Sequence, residues 1–278
     1  MSDFIVVGAG ASGCVITRRL IDAGYSVTLI EAGDLRYRDS NIDNVGGLTN
    51  LWGSKADWAY KTTPQEGLNN RPITINQGKV VGGSSALNAM MYVRCHHSNY
   101  RQLEEAGGSN FAFSASRRVL SRIENYIDGP RSGRYQSGLM KVRNCPDPSS
   151  YSPEFQQAAG VLGLETDDWD YNGPTQENGA GPLQFNIDEY GHRHSAFNAY
   201  LQPILSSNKL TLLDRAEAKK IILDSNGNAT SLEIVKSDGS HHTLHSDQKI
   251  ILSLGAFGSP LLLLRSGIGP DSAFAKSP

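Results

Sequence analysis

The 278-residue sequence has only three cysteines, Cys14, Cys95 and Cys145. Odd in number and widely scattered, they form neither a disulfide framework nor a CxxC metal pair, which favours a reducing compartment. No apolar run reaches the roughly 20 residues that a membrane-spanning helix needs, so no membrane insertion is expected. Met1 leads directly into an apolar strand without a signal-peptide n-region, and a cytoplasmic location is the expectation. Net charge is also small: 26 Lys and Arg face 28 Asp and Glu, leaving −2. That balance gives no electrostatic case for nucleic acid or an anionic membrane surface. A GxSxG elbow, an HExxH zinc helix, a P-loop and internal repeats are all missing. Histidines do cluster, with His192 and His194 around Arg193 and His241, His242 and His245 in a polar hairpin. No cysteine, carboxylate or second histidine pair completes those sets at usable spacing, so no metal site is expected.

Glycine, by contrast, is abundant. The 29 glycines exceed the average share of roughly 7%, as nucleotide-binding turns require. The apolar run Phe4-Ile5-Val6-Val7 ends in Gly8-Ala9-Gly10-Ala11-Ser12-Gly13, followed by an amphipathic segment from Cys14 to Ala23 and a second run, Val27-Thr28-Leu29-Ile30. Strand, glycine turn, helix and strand form the context in which GxGxxG signals a dinucleotide. Gly8 permits the tight turn, Gly10 lets backbone approach a pyrophosphate, and Gly13 allows close helix–strand packing. The phosphates would rest on free N–H groups at the positive end of the helix. Glu31 ends the second strand, placed to accept bonds from a ribose diol and to repel a 2′-phosphate. This motif alone does not separate NAD from FAD.

A second distinctive stretch is Gly78–Arg94, GKVVGGSSALNAMMYVR. Its paired glycines let a ligand press on backbone, and Ser84 and Ser85 can cap a helix or bond phosphate. Read alone, it is equally a tight turn leading into a buried helix, with Asn88 one turn further on beside the small Ala89. Between Gly33 and Gly78 the chain is polar and turn-rich, an excursion of the length that covers a ligand. Helices are expected from Ser114, as N-cap, to Tyr126, over Pro153–Leu162, over Asn198–Leu205 broken by Pro203, and over Pro260–Arg265 with Pro at its first position. Strands are expected at Leu210–Leu213, Lys220–Leu223, Ser231–Val235 and Lys249–Leu254, with hairpin turns at Asn226-Gly227 and Asp238-Gly239. The acidic loop Asp167–Tyr171 reads as solvated, and His96 and His97 as a polar turn.

Together these residues resemble the glucose-methanol-choline family of FAD-dependent oxidoreductases. GAGASGCV with Glu31-Ala32-Gly33 is similar to the family's ADP-binding start, and Trp58-x-Tyr60-x-Thr62-x-Pro64-Gln65 to the segment before its first signature. Gly78–Arg94 is similar to that first signature and Gly255–Pro270, GAFGSPLLLLRSGIGP, to the second. Asp170-Tyr171-Asn172-Gly173 and Gly191-x-Arg193-x-Ser195-Ala196-x-x-Ala199-Tyr200-Leu201 also match family segments, in order, across nearly the whole chain.

The resemblance implies an α/β fold: an FAD-binding Rossmann-like domain interleaved with part of an α+β substrate domain with an antiparallel sheet. The expected divisions are an FAD-binding part at 1–150, substrate-domain elements at 151–205 and a return to the FAD-binding domain at 206–278. The pyrophosphate would lie on Gly8, Gly10, Ala11, Ser12 and Gly13, and the ribose on Glu31 beside Ala32. The adenine would bond main chain near Ala218, and the flavin ring would lie against Ser84, Asn88, Ala89, Met90 and Met91. Trp58, Val81, Gly83 and Gly255 complete the expected cofactor set. Some members tether FAD through a His just before the matching Asn; Leu87 stands there, so dissociable, non-covalent FAD is expected.

The resemblance further implies oxidation of a small-molecule alcohol, with a base taking the hydroxyl proton as hydride leaves the carbinol carbon. No histidine in this sequence matches the family's catalytic base, so no catalytic residue is assigned. The base is expected in a further C-terminal half or in a second polypeptide, giving a heteromer. Redox-neutral relatives of the same fold, such as hydroxynitrile lyase or photodecarboxylase chemistry, and a non-catalytic flavin-binding subunit are the alternatives.

Overall fold

The computed structural model describes residues 1–35 and 40–270. In chain order the elements are β1 (Ser2–Val7), α1 (Ala11–Asp22), β2 (Val27–Ile30), two single helical turns α2 (Ser40–Asp43) and α3 (Leu48–Leu51), and the short strands β3 (Tyr60–Lys61) and β4 (Thr74–Ile75). Then come α4 (His97–Gly107), α5 (Phe113–Ile123), β5 (Glu124–Tyr126), β6 (Met140–Asn144), α6 (Ser152–Val161) and β7 (Gln184–Phe185). The chain closes with β8 (Leu210–Leu213), β9 (Ala216–Leu223), β10 (Ala229–Lys236), β11 (His241–Leu252) and α7 (Gly255–Arg265). Among the described residues no helix is long and apolar enough to cross a membrane.

Two compact units result, Met1–Asn88 with the chain from Ser195 onward, and Ala89–His194. Their limits fall at 88/89 and 194/195, where the sequence reading placed 150 and 205. The first unit is built on a six-stranded sheet in the order β8-β2-β1-β11-β10-β9. β1 is parallel to β2 and β11, β2 is parallel to β8, and β9, β10 and β11 form an antiparallel meander. Ile5, Val6 and Val7 of β1 are at most 1% exposed, the uninterrupted apolar run of a parallel strand covered on both faces. β11 is the element that joins the two halves. Its first residues pair with β10 and its last, Ser246 to Leu252, pair with β1. Ile5, Val7 and Ile30 from the parallel half share one core with Ile221, Leu232 and Ile234 of the meander and Leu262 of α7.

The polar excursion has a small core of its own, Leu51, Ala56, Val80, Ala86 and Leu87. Asp57 organises it: the carboxylate accepts N–H bonds from Gly53, Ala59 and Gln77 at 2.8–2.9 Å and from the Asn76 side chain. Burial works against that charge, but the bonds from Gly53, Asn76, Ala59 and Gln77 hold its carboxyl below the ordinary range. A single turn-rich stretch thus becomes ordered through one carboxylate.

The second unit carries a three-stranded sheet, β5-β6-β7, with β5 and β6 parallel and β6 and β7 antiparallel. Its centre is ionic. Arg134 Nε lies 2.9 Å from Glu124 Oε1 and its Nη1 3.0 Å from Asp170 Oδ2, with both the arginine and glutamate side chains fully buried. Arg94 joins through Nε to Glu124 Oε2 at 2.9 Å, and its backbone N–H donates to Asn172 Oδ1 at 2.7 Å. Asp170 is therefore a buried ion-pair partner, not part of a solvated loop.

Several local expectations need correction. Ser114 does not cap α5, which starts at Phe113 behind Ala112 and yields to β5 at Glu124. The helical stretch expected to break at Pro203 is a π-helical turn over 197–201 followed by a 3-10 turn over 202–204 that contains the proline. α7 begins five residues before Pro260, which sits inside it. No α-helix follows Gly82-Gly83; a single 3-10 turn, Gly83–Ala86, leads into irregular chain.

Candidate nucleotide-binding site

A cleft of about 620 Å³ opens in the first unit where β1 meets α1. Gly8 has φ +96°, and a Cβ there would lie 2.5 Å from Ser253 O. A Cβ on Gly13 would lie 1.8 Å from Gly8 O. Both glycines are therefore demanded by protein packing. Gly10 differs: its φ is −76° and a Cβ would find nothing closer than Gly83 Cα at 3.9 Å. Alanine would fit the protein at that position, yet its methyl would project into space that the cleft leaves open. α1 starts at this floor with no side-chain cap and no acidic residue in its first turn, so its leading amides present positive partial charge to a ligand.

Gly78–Ser85 builds the second wall. Gly82 donates to Ala9 O at 2.8 Å, and Gly83, at φ +55°, would bring a Cβ within 2.6 Å of Gly10 Cα. The two glycine turns thus stack backbone on backbone. Ser84 lines the cleft and accepts from Gly78 N–H at 3.1 Å. Ser85 is committed to structure, donating to Gly82 O at 2.6 Å and accepting from Ala196 N–H at 3.0 Å.

Glu31 is 6% exposed and lines the same space. One carboxylate oxygen accepts from Ala9 N–H and the other from Gly33 N–H, each at 2.9 Å. Burial pushes its pKa upward, opposed by those bonds and by the charge of Lys79. Each oxygen keeps a further lone pair for a hydroxyl donor. The sequence reading gave Glu31 the diol but missed its hold on the glycine turn. Beneath that turn Cys14 donates to Ala9 O, and burial pushes its thiol up to about 12, so it is an inert packing residue.

The far wall is Ala216, Glu217 and Ala218 of β9. β9 ends the sheet. Ala216 N–H donates to Glu31 O and Ile221 N–H to Ser266 Oγ, while the strand between them borders the cleft at Ala218, where an edge strand can offer backbone groups to a ligand. Trp58 and Tyr60 stack at 5.7 Å and 6° between planes, and Phe257 meets Tyr60 edge-on at 6.0 Å. All three line the cleft, as does Ser253, whose buried Oγ has no hydrogen-bond partner.

Of the expected cofactor residues, Gly8, Gly10, Ala11, Ser12, Glu31, Ala32, Trp58, Gly83, Ser84, Ala218 and Gly255 line this cleft. Gly13 and Val81 are buried outside its lining. Asn88 is exposed and its N–H donates to Ser84 O. Ala89, Met90 and Met91 belong to the second unit, where Met90 O accepts from Asn186 N–H and Met91 bridges Phe185. None of these four lines the cleft. Tyr60, Gln77, Ser253 and Phe257 are cleft residues that sequence reasoning did not assign. Tyr60 and Phe257 lay inside the quoted motifs, while Ser253 carried no signal beyond closing a strand.

Comparison with known proteins agrees with this arrangement. Residues 2–276 match the family model of the GMC oxidoreductases. The chain is 34% identical over 270 residues to the oxygen-dependent choline dehydrogenase of Rhizobium etli (strain CIAT 652), covering 97% of this chain and 48% of that protein. It is 34% identical over 275 residues to the alcohol dehydrogenase [acceptor] of Pseudomonas putida, covering 97% and 49%. Among solved structures, pyridoxine 4-oxidase from Mesorbium loti superposes with a TM-score of 0.87 at 31% identity, over 98% of this chain and 53% of that one. A formate oxidase of Aspergillus oryzae RIB40, in a structure concerned with FAD modification, gives 0.84 at 26% identity, over 98% and 48%. The chain spans about half the length of the curated relatives it matches. With the glycine turns, both signature segments and the mixed sheet in place, the chain belongs to the GMC oxidoreductase family.

Proposed function

We propose that this chain forms the FAD-binding part of an oxidoreductase acting on the CH–OH group of a small-molecule alcohol. The observation that carries the reading is the floor at Gly10, a position where the protein has room for a methyl and the sequence keeps none. The uncapped start of α1 and the unpartnered Ser253 Oγ add donors on the same surface. A dinucleotide fits these features. Gly10, Ala11 and Ser12 would hold the pyrophosphate, Glu31 the adenosine ribose, and the outer edge of β9 at Ala218 the adenine. Ser84 lies on the side expected for the flavin ring. When bound, FAD supplies the hydride acceptor for the alcohol carbon.

The residues of the cleft bind and orient and do not take the proton. Glu31 is occupied on both oxygens by backbone N–H groups, and burial raises the pKa of Tyr60 above its ordinary value. Among the described lining residues there is no histidine. In this reading the general base comes from residues outside this sequence, on the same polypeptide or on a second one. Leu87, 4% exposed in the small core with Leu51 and Val80, offers no nucleophile to the cofactor, which supports non-covalent FAD.

The test is purification from the source, visible spectroscopy and acid denaturation, followed by anaerobic addition of alcohols including choline. A flavin spectrum, release of intact FAD and bleaching by an alcohol are the expected results. Absence of flavin together with failure to bind added FAD would overturn the cofactor assignment. Bound FAD that no alcohol bleaches would overturn the activity and leave the cofactor assignment standing.

A further inference from the structure

The unit Ala89–His194 contains a separate cavity of about 740 Å³, lined by the start of α4 and the chain from Asn172 to Asn178. His96 is the N-cap of α4. Its Nδ1 lies 2.8 Å from Ser98 Oγ and 3.3 Å from Ser98 N, while Nε2 lies 2.9 Å from Glu177 Oε1. His97, the first residue of the helix, sets its ring against that of His96 at 3.8 Å between centroids, with the planes tilted by 44°. One nitrogen from each ring and one Glu177 oxygen all lie within 4.8 Å of one another. Two imidazoles and a carboxylate converge here on one point, from positions 81 residues apart in sequence.

We propose that His96, His97 and Glu177 bind a divalent transition metal of the zinc class. Two neutral imidazoles and one carboxylate form a borderline donor set that zinc, cobalt(II) and nickel(II) share. Tetrahedral ligands at metal distances of about 2.1 Å sit about 3.4 Å apart. The three ligand atoms already lie within 4.8 Å of one another. The exposed Glu177 carboxylate, paired with His96 Nε2 at 2.9 Å, and the exposed His97 ring would draw in around the ion. The contact with Ser98 Oγ at 2.8 Å orients the His96 ring so that Nε2 faces the carboxylate. When the metal replaces the proton on Nε2, Nδ1 becomes the protonated nitrogen and donates to Ser98 Oγ, giving up the longer 3.3 Å bond it accepts from Ser98 N–H. Ser98 thereby sets ring tautomer and orientation, as outer hydrogen-bond partners do for metal-bound histidine. Water completes the coordination. The ion would tie the start of α4 to the loop carrying Glu177, which makes it a structural clamp on this unit, independent of the cofactor cleft.

The experiment is titration of the chelator-treated chain with zinc(II) by calorimetry, with cobalt(II) absorption as the geometric readout. Expected are one equivalent of zinc, visible cobalt bands of tetrahedral intensity, and a melting temperature that rises with zinc. His96→Asn keeps a capping side chain but removes the imidazole. It and His97→Ala should each weaken binding by about a hundredfold, and Ser98→Ala by about tenfold. His192→Ala, at an exposed histidine elsewhere on this unit, should change nothing. His97→Ala decides the question if His96→Asn does not fold, because His97 is exposed and caps nothing. Absence of saturable one-to-one binding, or binding as tight in His97→Ala as in the parent, would overturn the site.

Discussion

Replacing Gly10 with alanine separates a glycine kept for folding from one kept for a ligand. The backbone there is extended at φ −76° and ψ −167°, which alanine adopts freely. Its methyl would find no heavy atom closer than 3.9 Å. Removing glycine freedom from the unfolded chain at such a position stabilises a protein by about 0.4–1 kcal/mol. The apo protein should therefore melt at the same temperature or slightly higher. The methyl would stand where the pyrophosphate is placed, and forcing a methyl-sized group into a filled contact costs about 1–3 kcal/mol. At about 1.4 kcal/mol per decade, FAD affinity should fall roughly 5- to 150-fold. Flavin fluorescence quenching on titration measures the affinity, and thermal denaturation of the apo chain measures the stability. Unchanged FAD affinity would refute the placement of phosphate on this floor. A large loss of apo stability would refute the packing account of Gly10.

The neighbouring glycine should behave in the opposite way. Gly83→Ala adds a left-handed penalty of about 1–2 kcal/mol to about 1–3 kcal/mol of overpacking against Gly10 Cα, so chemical denaturation should show a loss of about 2–5 kcal/mol with or without FAD. Glu31→Gln presents an amide group to a backbone N–H donor and should cost about 1–3 kcal/mol, with weaker FAD binding; equal stability would show that the carboxylate does not hold the turn. Arg134→Met leaves Glu124 and Asp170 buried with one cation fewer, a loss of about 3–5 kcal/mol, tempered because Arg94 still reaches Glu124. His194, which accepts Lys141 N–H at Nδ1, is held down to about 4, first by burial and then by the Lys141 charge. Between its ordinary 6.5 and that value the unfolded chain binds the extra proton, so stability should fall with falling pH at up to about 1.4 kcal/mol per unit; His194→Gln should flatten that slope in urea titrations between those limits.

Patterns that sequence displays locally were legible; what long-range contacts decide was not. Phe4–Val7, the glycine turn and Val27–Ile30 carry strand, turn and helix in adjacent residues, and they formed where expected. The hairpins at Gly227 and Gly239 did too, because each glycine supplies the positive φ its turn requires. β11 was read as the six residues Lys249–Leu254 and runs over the twelve from His241 to Leu252, since its first part, His241 to His245, is polar on an exposed meander and shows no apolar run. Asp170 looked solvated because nothing near it in sequence reveals Arg134 as its partner. Ser253 and Glu177 stayed silent for the same reason, their partners Gly8 and His96 lying far away in sequence. Asp57 did so in part, because Asn76 and Gln77 join the nearby Gly53 and Ala59 on its carboxylate. The Gly78–Arg94 signature identified the family but misled on conformation, because serine after glycine suits a helix cap and a 3-10 turn equally well.

The position of β11 has a consequence for how the chain is made. β1 and its glycine turn leave the ribosome well before β11, yet β1's partner on one side is Ser246–Leu252, and Gly8 packs against Ser253. One flank of the first strand therefore waits through some 240 residues of synthesis, at about 5–20 residues per second, with its apolar face and ladder groups unmatched. The turn cannot reach its final shape during that interval, so cofactor capture must follow translation of β11. A nascent chain stalled before Ser246 should expose a protease-sensitive segment at β1 and its glycine turn that FAD does not protect.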